Sequence, residues 1–267
     1  MNPSRIAATT EVDWYDQQIP DFTGPALDSL YGSLYSSLPH LALGDLGNVS
    51  TYVDHTASGL QALFLYTRSG KVARVMNEGM PLAAADVGRF ATRLFQRFDD
   101  LVRIDFHAVA CDEPKTLPHT CCFTLDEDIV IDLPATEADY LASLGRSTRK
   151  TLRQNLTRAQ RLTHRLLAGS EVDHALIAQI IAFNHARLAA KQRRSALDDI
   201  AAHKLRALVQ HSGLVSAVYV DGRLVAGTLA CRISNDMYSL VNAHDPHYDH
   251  LGMGNLSRHL LIVAAIH

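Results

Sequence analysis

The sequence predicts an α/β protein with a mixed, mostly antiparallel sheet flanked by helices, in two successive halves, 1–135 and 136–267. Three observations predict it. Apolar, β-leaning runs on either side of Arg68-Ser69-Gly70 and of Asp221-Gly222 read as hairpins, and Asp-Gly between such runs is a strong short hairpin signal. Val87, Phe90, Ala91, Leu94, Phe95 and Phe98 form one stripe at helical spacing. The second half reads as three helices, three strands, a glycine loop and a last helix.

Along the first half, the opening 55 or so residues are rich in Gly, Pro, Ser, Tyr and Asp and read as an irregular leader, with at most a short helix in 31–43. Leu60–Thr67 and Lys71–Met76 follow as a hairpin, then the helix Ala83–Phe98. In 101–110, Val102, Ile104, Phe106 and Ala108 alternate with Arg103, Asp105 and His107, the pattern of a half-buried strand. Cys121–Leu125 and Ile129–Leu133 read as a further hairpin turning at Asp126-Glu127-Asp128.

In the second half, Thr136 is placed to cap a long helix, Glu137–Leu167, with a break expected at Gly145. Helices near Val172–Gln192 and Ala196–Gln210 come next. A meander follows: Leu214–Val220, Arg223–Ile233 and Met237–Asn242. A polar loop, His244–Leu251, then leads through Gly252-Met253-Gly254 into a helix, Asn255–Ile266.

Composition narrows the function classes. The chain has 267 residues, 47% hydrophobic and 20% charged, which excludes collagenous, coiled-coil and wholly disordered proteins. A net charge of −3, from 25 basic and 28 acidic residues, argues against a general nucleic-acid binder. The run Leu260–Ile266 is far shorter than the ~20 apolar residues of a membrane helix. No charged patch followed by an apolar core marks a signal peptide at the start, so a cytoplasmic location is expected. Cys111, Cys121, Cys122 and Cys231 form no C-x-x-C pair and are expected to be reduced and mostly buried.

Three patterns carry chemistry. Gly252 and Gly254 sit where a strand gives way to a helix. Backbone N–H groups of Met253, Gly254, Asn255 and Leu256 are then expected to be free to meet an anion, with the helix dipole behind them. The same pattern also opens ordinary helices. Arg146, Arg149, Lys150, Arg153, Arg158, Arg161 and Arg165 share one half of the expected helix, opposite Leu141, Leu144, Leu152, Leu156, Ala159, Leu162 and Leu166. That cationic face is either a solvated surface or a strip for an anionic ligand, with Arg149, Lys150 and Arg153 as its centre. His244, His247 and His250 alternate with Asp245 and Asp249, but the loop lacks the paired-helix spacing of a zinc site, so no metal is expected. His244 or Asp245, just past the strand end, is placed to take a proton from an attacking amine.

The meander, glycine turn and helix resemble the coenzyme A site of the GNAT superfamily of N-acyltransferases, with its Gln/Arg-x-x-Gly-x-Gly/Ala pattern. Here it reads Asp249-His250-Leu251-Gly252-Met253-Gly254; the glycines match and Asp249 departs. The stretch Ile131–Leu162, with Leu133-Pro134 before a helix carrying Arg149-Lys150-x-x-Arg153, is similar to the tandem-GNAT branch associated with cellulose or exopolysaccharide biosynthesis. The resemblance implies two GNAT-like halves, the second C-terminally truncated. It also implies acetyl-CoA as acyl donor, bound at Val241, Asn242, Leu251, Gly252, Met253, Gly254 and Asn255. The acceptor that goes with this resemblance is a small-molecule or sugar amine. Fem-type aminoacyl transfer from aminoacyl-tRNA and a non-catalytic binding role stand as alternatives. A truncated second half implies an open sheet edge at Met237–Asn242, to be filled from within the chain or by a second copy.

Overall fold

A computed structural model describes residues 11–124, 129–159 and 161–267. The chain divides into two compact units, 1–128 with 233–236, and 129–232 with 237–267.

The first unit contains strands β1 (Glu11–Tyr15), β2 (Ser50–Thr56), β3 (Gly59–Ser69), β4 (Val72–Val75), β5 (Pro81–Leu82), β6 (Arg103–Asp105) and β7 (Ala110–Cys111), with helices α1 (Thr23–Tyr31), α2 (Leu38–Leu41) and α3 (Ala84–Arg97). Five strands form one sheet in the order β1-β2-β3-β4-β6, antiparallel except for β4–β6. The amphipathic stripe of α3 closes one face. Phe90 and Leu94 pack with Tyr52, Phe64 and Tyr66, all essentially without solvent contact. Each such side chain contributes about 1.5–3 kcal/mol by leaving water. Fully buried Asp54 on β2 accepts a hydrogen bond from Arg89 Nε at 2.8 Å, and the same guanidinium bonds Asp86.

Three expectations for this unit are corrected. The leader is not irregular throughout: residues 1–10 lie outside the described residues, but β1 pairs with β2 from Glu11↔His55 to Tyr15↔Thr51. Such pairing depends on partners some 40 positions apart, which local composition does not reveal. The alternating segment 101–110 is not one strand: only 103–105 pair, as β6 with β4, the chain then turns through Ala108 at φ +49, and Ala110 opens β7; Val102, just before β6, is 67% exposed. Cys121–Thr124 and Ile129–Leu133 form no strand, and their turn, 125–128, lies outside the described residues. Ile129 is 94% exposed and Val130 78%. Cys121 and Cys122 are likewise exposed, whereas Cys231 is buried; none of the four is bonded to another.

The second unit contains α4 (Glu137–Ser143), α5 (Arg146–Arg158), β8 (Leu162–Ala168), α6 (His174–Ala190), α7 (Asp199–Ser212), β9 (Gly213–Val220), β10 (Arg223–Ile233), β11 (Asp236–His244) and α8 (Met253–Ile266). Its sheet runs β11-β10-β9-β8, and the β8–β9 and β9–β10 pairs are antiparallel. The period of two divides each strand between two cores. Val215, Ala217, Val241 and Ala243 join Ile177, Ile180, Leu205 and Val209 of α6 and α7. Val218 and Val220 join Ala159, Met253 and Leu256 near α5 and α8.

Thr136 caps α4 by accepting from the Asp139 N–H at 3.1 Å. The expected long helix breaks at Gly145 as the sequence indicates, but it does not reach Leu167. It ends at Arg158, and 162–168 is strand β8, in register with β9 from Leu162↔Val220 to Ala168↔Leu214. Seven residues of sheet pairing override a helical spacing of leucines and arginines. Arg161 and Arg165 therefore leave the helical strip. Among the described residues, no helix is long and apolar enough to cross a membrane.

Candidate functional site

In the second unit, β11 and the N-terminus of α8 border an open cleft of ≈350 Å³ lined by Arg187, Asn242, His244, Asp249, Gly252, Met253, Gly254, Asn255 and Arg258. Strand alternation explains its floor. Val241 and Ala243 point into the core with α6 and α7, so Asn242 and His244 point the other way. Asn242 is held by a 3.2 Å bond from its amide to Thr228, whose hydroxyl lies 3.3 Å from that of Ser257.

A 3-10 segment, Pro246–Leu251, joins β11 to α8. It ends at Gly252, in the left-handed region at φ +67, and α8 begins without a side-chain cap. The first N–H groups of a helix have no partner inside it, so those of Met253, Gly254 and Asn255 are available at the cleft, whereas the Leu256 N–H, expected to be free as well, donates to the Gly252 carbonyl at 3.2 Å. Gly252 is required twice over: by its φ, and because a Cβ would overlap the Asn155 side-chain amide from α5. Asn155 is 4% exposed and backs the glycine turn, a role its sequence surroundings do not disclose. Gly254 leaves room for an imidazole: a Cβ there would lie 3.3 Å from His244 Cε1 and Nδ1.

His244 and Asp249 form a pair, Nε2 to Oδ1 at 2.5 Å, with the His244 side chain 14% exposed. When Nε2–H donates to the carboxylate, Nδ1 beside Gly254 is left as a proton acceptor. Asp245 does something else. It is buried, outside the cleft lining, and caps the 3-10 segment by accepting from the His247 N–H at 3.0 Å and pairing with the His247 ring at 2.7 Å. Burial pushes its carboxyl up, but these bonds, the His247 charge and nearby Arg223 outweigh it and hold the group below its ordinary value. A carboxylate so engaged is a poor proton acceptor.

The residues expected to bind the donor divide accordingly. Asn242, Gly252, Met253, Gly254 and Asn255 line the cleft; Val241 lies in the hydrophobic core and Leu251 packs against the α8 cluster. The loop histidines diverge: His244 turns to Asp249, His247 to Asp245, and His250 stacks on Tyr248. Arg187 and Arg258 join the cleft unannounced by any motif; a 3.6 period in α6 and α8 locates faces, not which face meets a loop.

Arg149, Lys150 and Arg153 lie apart from the cleft lining. With Arg146 and Gln154 they line a shallow groove of ≈670 Å³ on α5. Arg149 donates to the Ala142 carbonyl at 2.8 Å and the Leu141 carbonyl at 3.3 Å, closing the end of α4, while Lys150 and Arg153 are exposed.

Among solved structures, the chain is similar to L-PGS from Bacillus licheniformis, at 13% identity over 94% of this chain and 73% of that one, TM-score 0.52. It is similar to FemX at 10% identity over 96% and 85%, TM-score 0.63. It is also similar to a conserved protein of unknown function from Bacteroides thetaiotaomicron at 14% identity over 94% and 87%, TM-score 0.53. At these identities the likeness is one of fold. No curated protein sequence matches the chain. The segment that builds the cleft, residues 146–267, matches the family model of the acetyltransferase (GNAT) domain.

Proposed function

We propose that the second unit transfers an acyl group, acetyl in the simplest case, from coenzyme A to an amine. The observation that carries this reading is the uncapped N-terminus of α8 opening into the same cleft as the His244–Asp249 pair. The N–H groups of Met253, Gly254 and Asn255, with Arg258 one turn further along α8, suit the donor's pyrophosphate. The backbone of Val241 and Asn242 runs beside the pantetheine arm. His244 Nδ1 takes the proton of the attacking amine as the C–N bond forms; the thioester C–S bond then breaks, and the departing thiolate takes up the proton that His244 gives back, which restores the base and releases free thiol. The acceptor is a small-molecule or sugar amine, the setting cytoplasmic, and the first unit a second GNAT-like half, with a boundary near 135. The exopolysaccharide connection belongs to the same proposal.

A second reading has one observation in its favour. The cationic groove on α5, with Lys150 and Arg153 exposed, suits the phosphates of an aminoacyl-tRNA in Fem-type transfer. Release of free thiol from acetyl-CoA, followed over a panel of amines, tests the first reading. Amine-dependent thiol release supports it; transfer from aminoacyl-tRNA with no response to acetyl-CoA overturns it.

A further inference from the structure

The cleft holds one cation that the donor reading does not use. Arg187, near the C-terminal end of α6, lines it together with Asn242 and His244. Its Nε is closed off from solvent and makes no hydrogen bond, and no carboxylate among the described residues pairs with it. The cleft's carboxylate, Asp249, is already engaged by His244. An unpaired guanidinium with a desolvated edge is relieved by an anion, and its planar fork favours carboxylate or phosphate. The phosphates of the donor already have the α8 N–H groups and Arg258. We propose that Arg187 anchors an anionic group on the acceptor, so that the site takes amines bearing a carboxylate or a phosphate rather than neutral amines. This rests on the acyl-transfer reading: Arg187 grips the anionic end, and the amine at the other end meets His244 Nδ1.

The test is calorimetry on the full chain with coenzyme A present at saturation. The probes are β-alanine against its amide, and phosphoethanolamine against ethanolamine. The wild type is expected to bind at least one charged member tenfold or more tightly than its neutral partner; the first pair assigns carboxylate, the second phosphate. Arg187→Met is expected to reduce that preference to under twofold, with Arg187→Lys between the two, while acetyl-CoA affinity and melting temperature hold. The proposal is overturned if the wild type binds none of the four amines or shows no preference. It is also overturned if the preference survives Arg187→Met, or if that variant binds acetyl-CoA tenfold more weakly. Absence of acetyl-CoA binding to the wild type instead removes the donor reading; the charge preference, measured without coenzyme A, still decides the role of Arg187.

Discussion

Replacing Gly254 with valine separates the cleft from the fold. A Cβ at this position already sits 3.3 Å from two ring atoms of His244, closer than ordinary van der Waals contact, and valine adds two methyl groups beyond it. They fill the wedge between the helix N-terminus and the imidazole, covering the N–H groups assigned to the pyrophosphate. Losing one hydrogen bond to a charged oxygen costs about 1.5–3 kcal/mol, a rise in Kd of roughly 10- to 150-fold. The fold has little reason to suffer. Position 254 has no left-handed φ, glycine is a poor helix former, and the crowded group lies at the rim of an open cleft. Calorimetry with acetyl-CoA reads the affinity, and circular dichroism reads the melting temperature. Gly254→Ala is the milder companion, with a smaller loss of affinity and equal or greater stability. A Kd within twofold of wild type for a folded Gly254→Val protein refutes the assignment of these amides to the donor.

Three further outcomes are expected. His244→Gln should lower the rate of thiol release by roughly 10²–10⁴-fold, the usual contribution of a positioned base, with acetyl-CoA affinity within twofold by calorimetry. Gly252→Ala should cost at least about 1–2 kcal/mol in urea unfolding, because its φ of +67 disfavours any Cβ, and Asn155→Ala in the same chain should restore the part due to overlap. Stability should fall as pH drops below 6.5: burial lowers the pKa of His259, with Glu137 opposing it, and that of His164. The unfolded chain then binds more protons than the native one, so the folded state loses ground down to the depressed native pKa values. His259→Gln should flatten the dependence of melting temperature on pH between 7.5 and 5.5, and an unchanged slope contradicts this.

What could be read in the sequence follows from the range of the interactions. The Asp221-Gly222 hairpin and α3 are specified by residues within a few positions of one another, and both form where local pattern places them. Strands β1 and β8 need partners 36 to 58 positions away, and their segments read locally as irregular or helical. The site shows the same division. The glycine turn was legible because φ and close approach demand glycine. The roles of the two acids in the histidine loop were not, since Asp245 and Asp249 differ only in which neighbour the 3-10 segment turns them toward. Arg187 and Asn155 arrive from helices α6 and α5, and only packing brings them to the turn.

The claim that the N-terminus of α8 receives the donor's pyrophosphate is tested most directly by amide chemical shifts of the isotope-labelled chain, titrated in parallel with coenzyme A and with pantetheine, which lacks the phosphates. The account predicts that coenzyme A moves the Met253, Gly254 and Asn255 amides most strongly and that pantetheine leaves them near their starting positions. Equal responses to the two ligands, or responses confined to Lys150, Arg153 and their neighbours on α5, would contradict it.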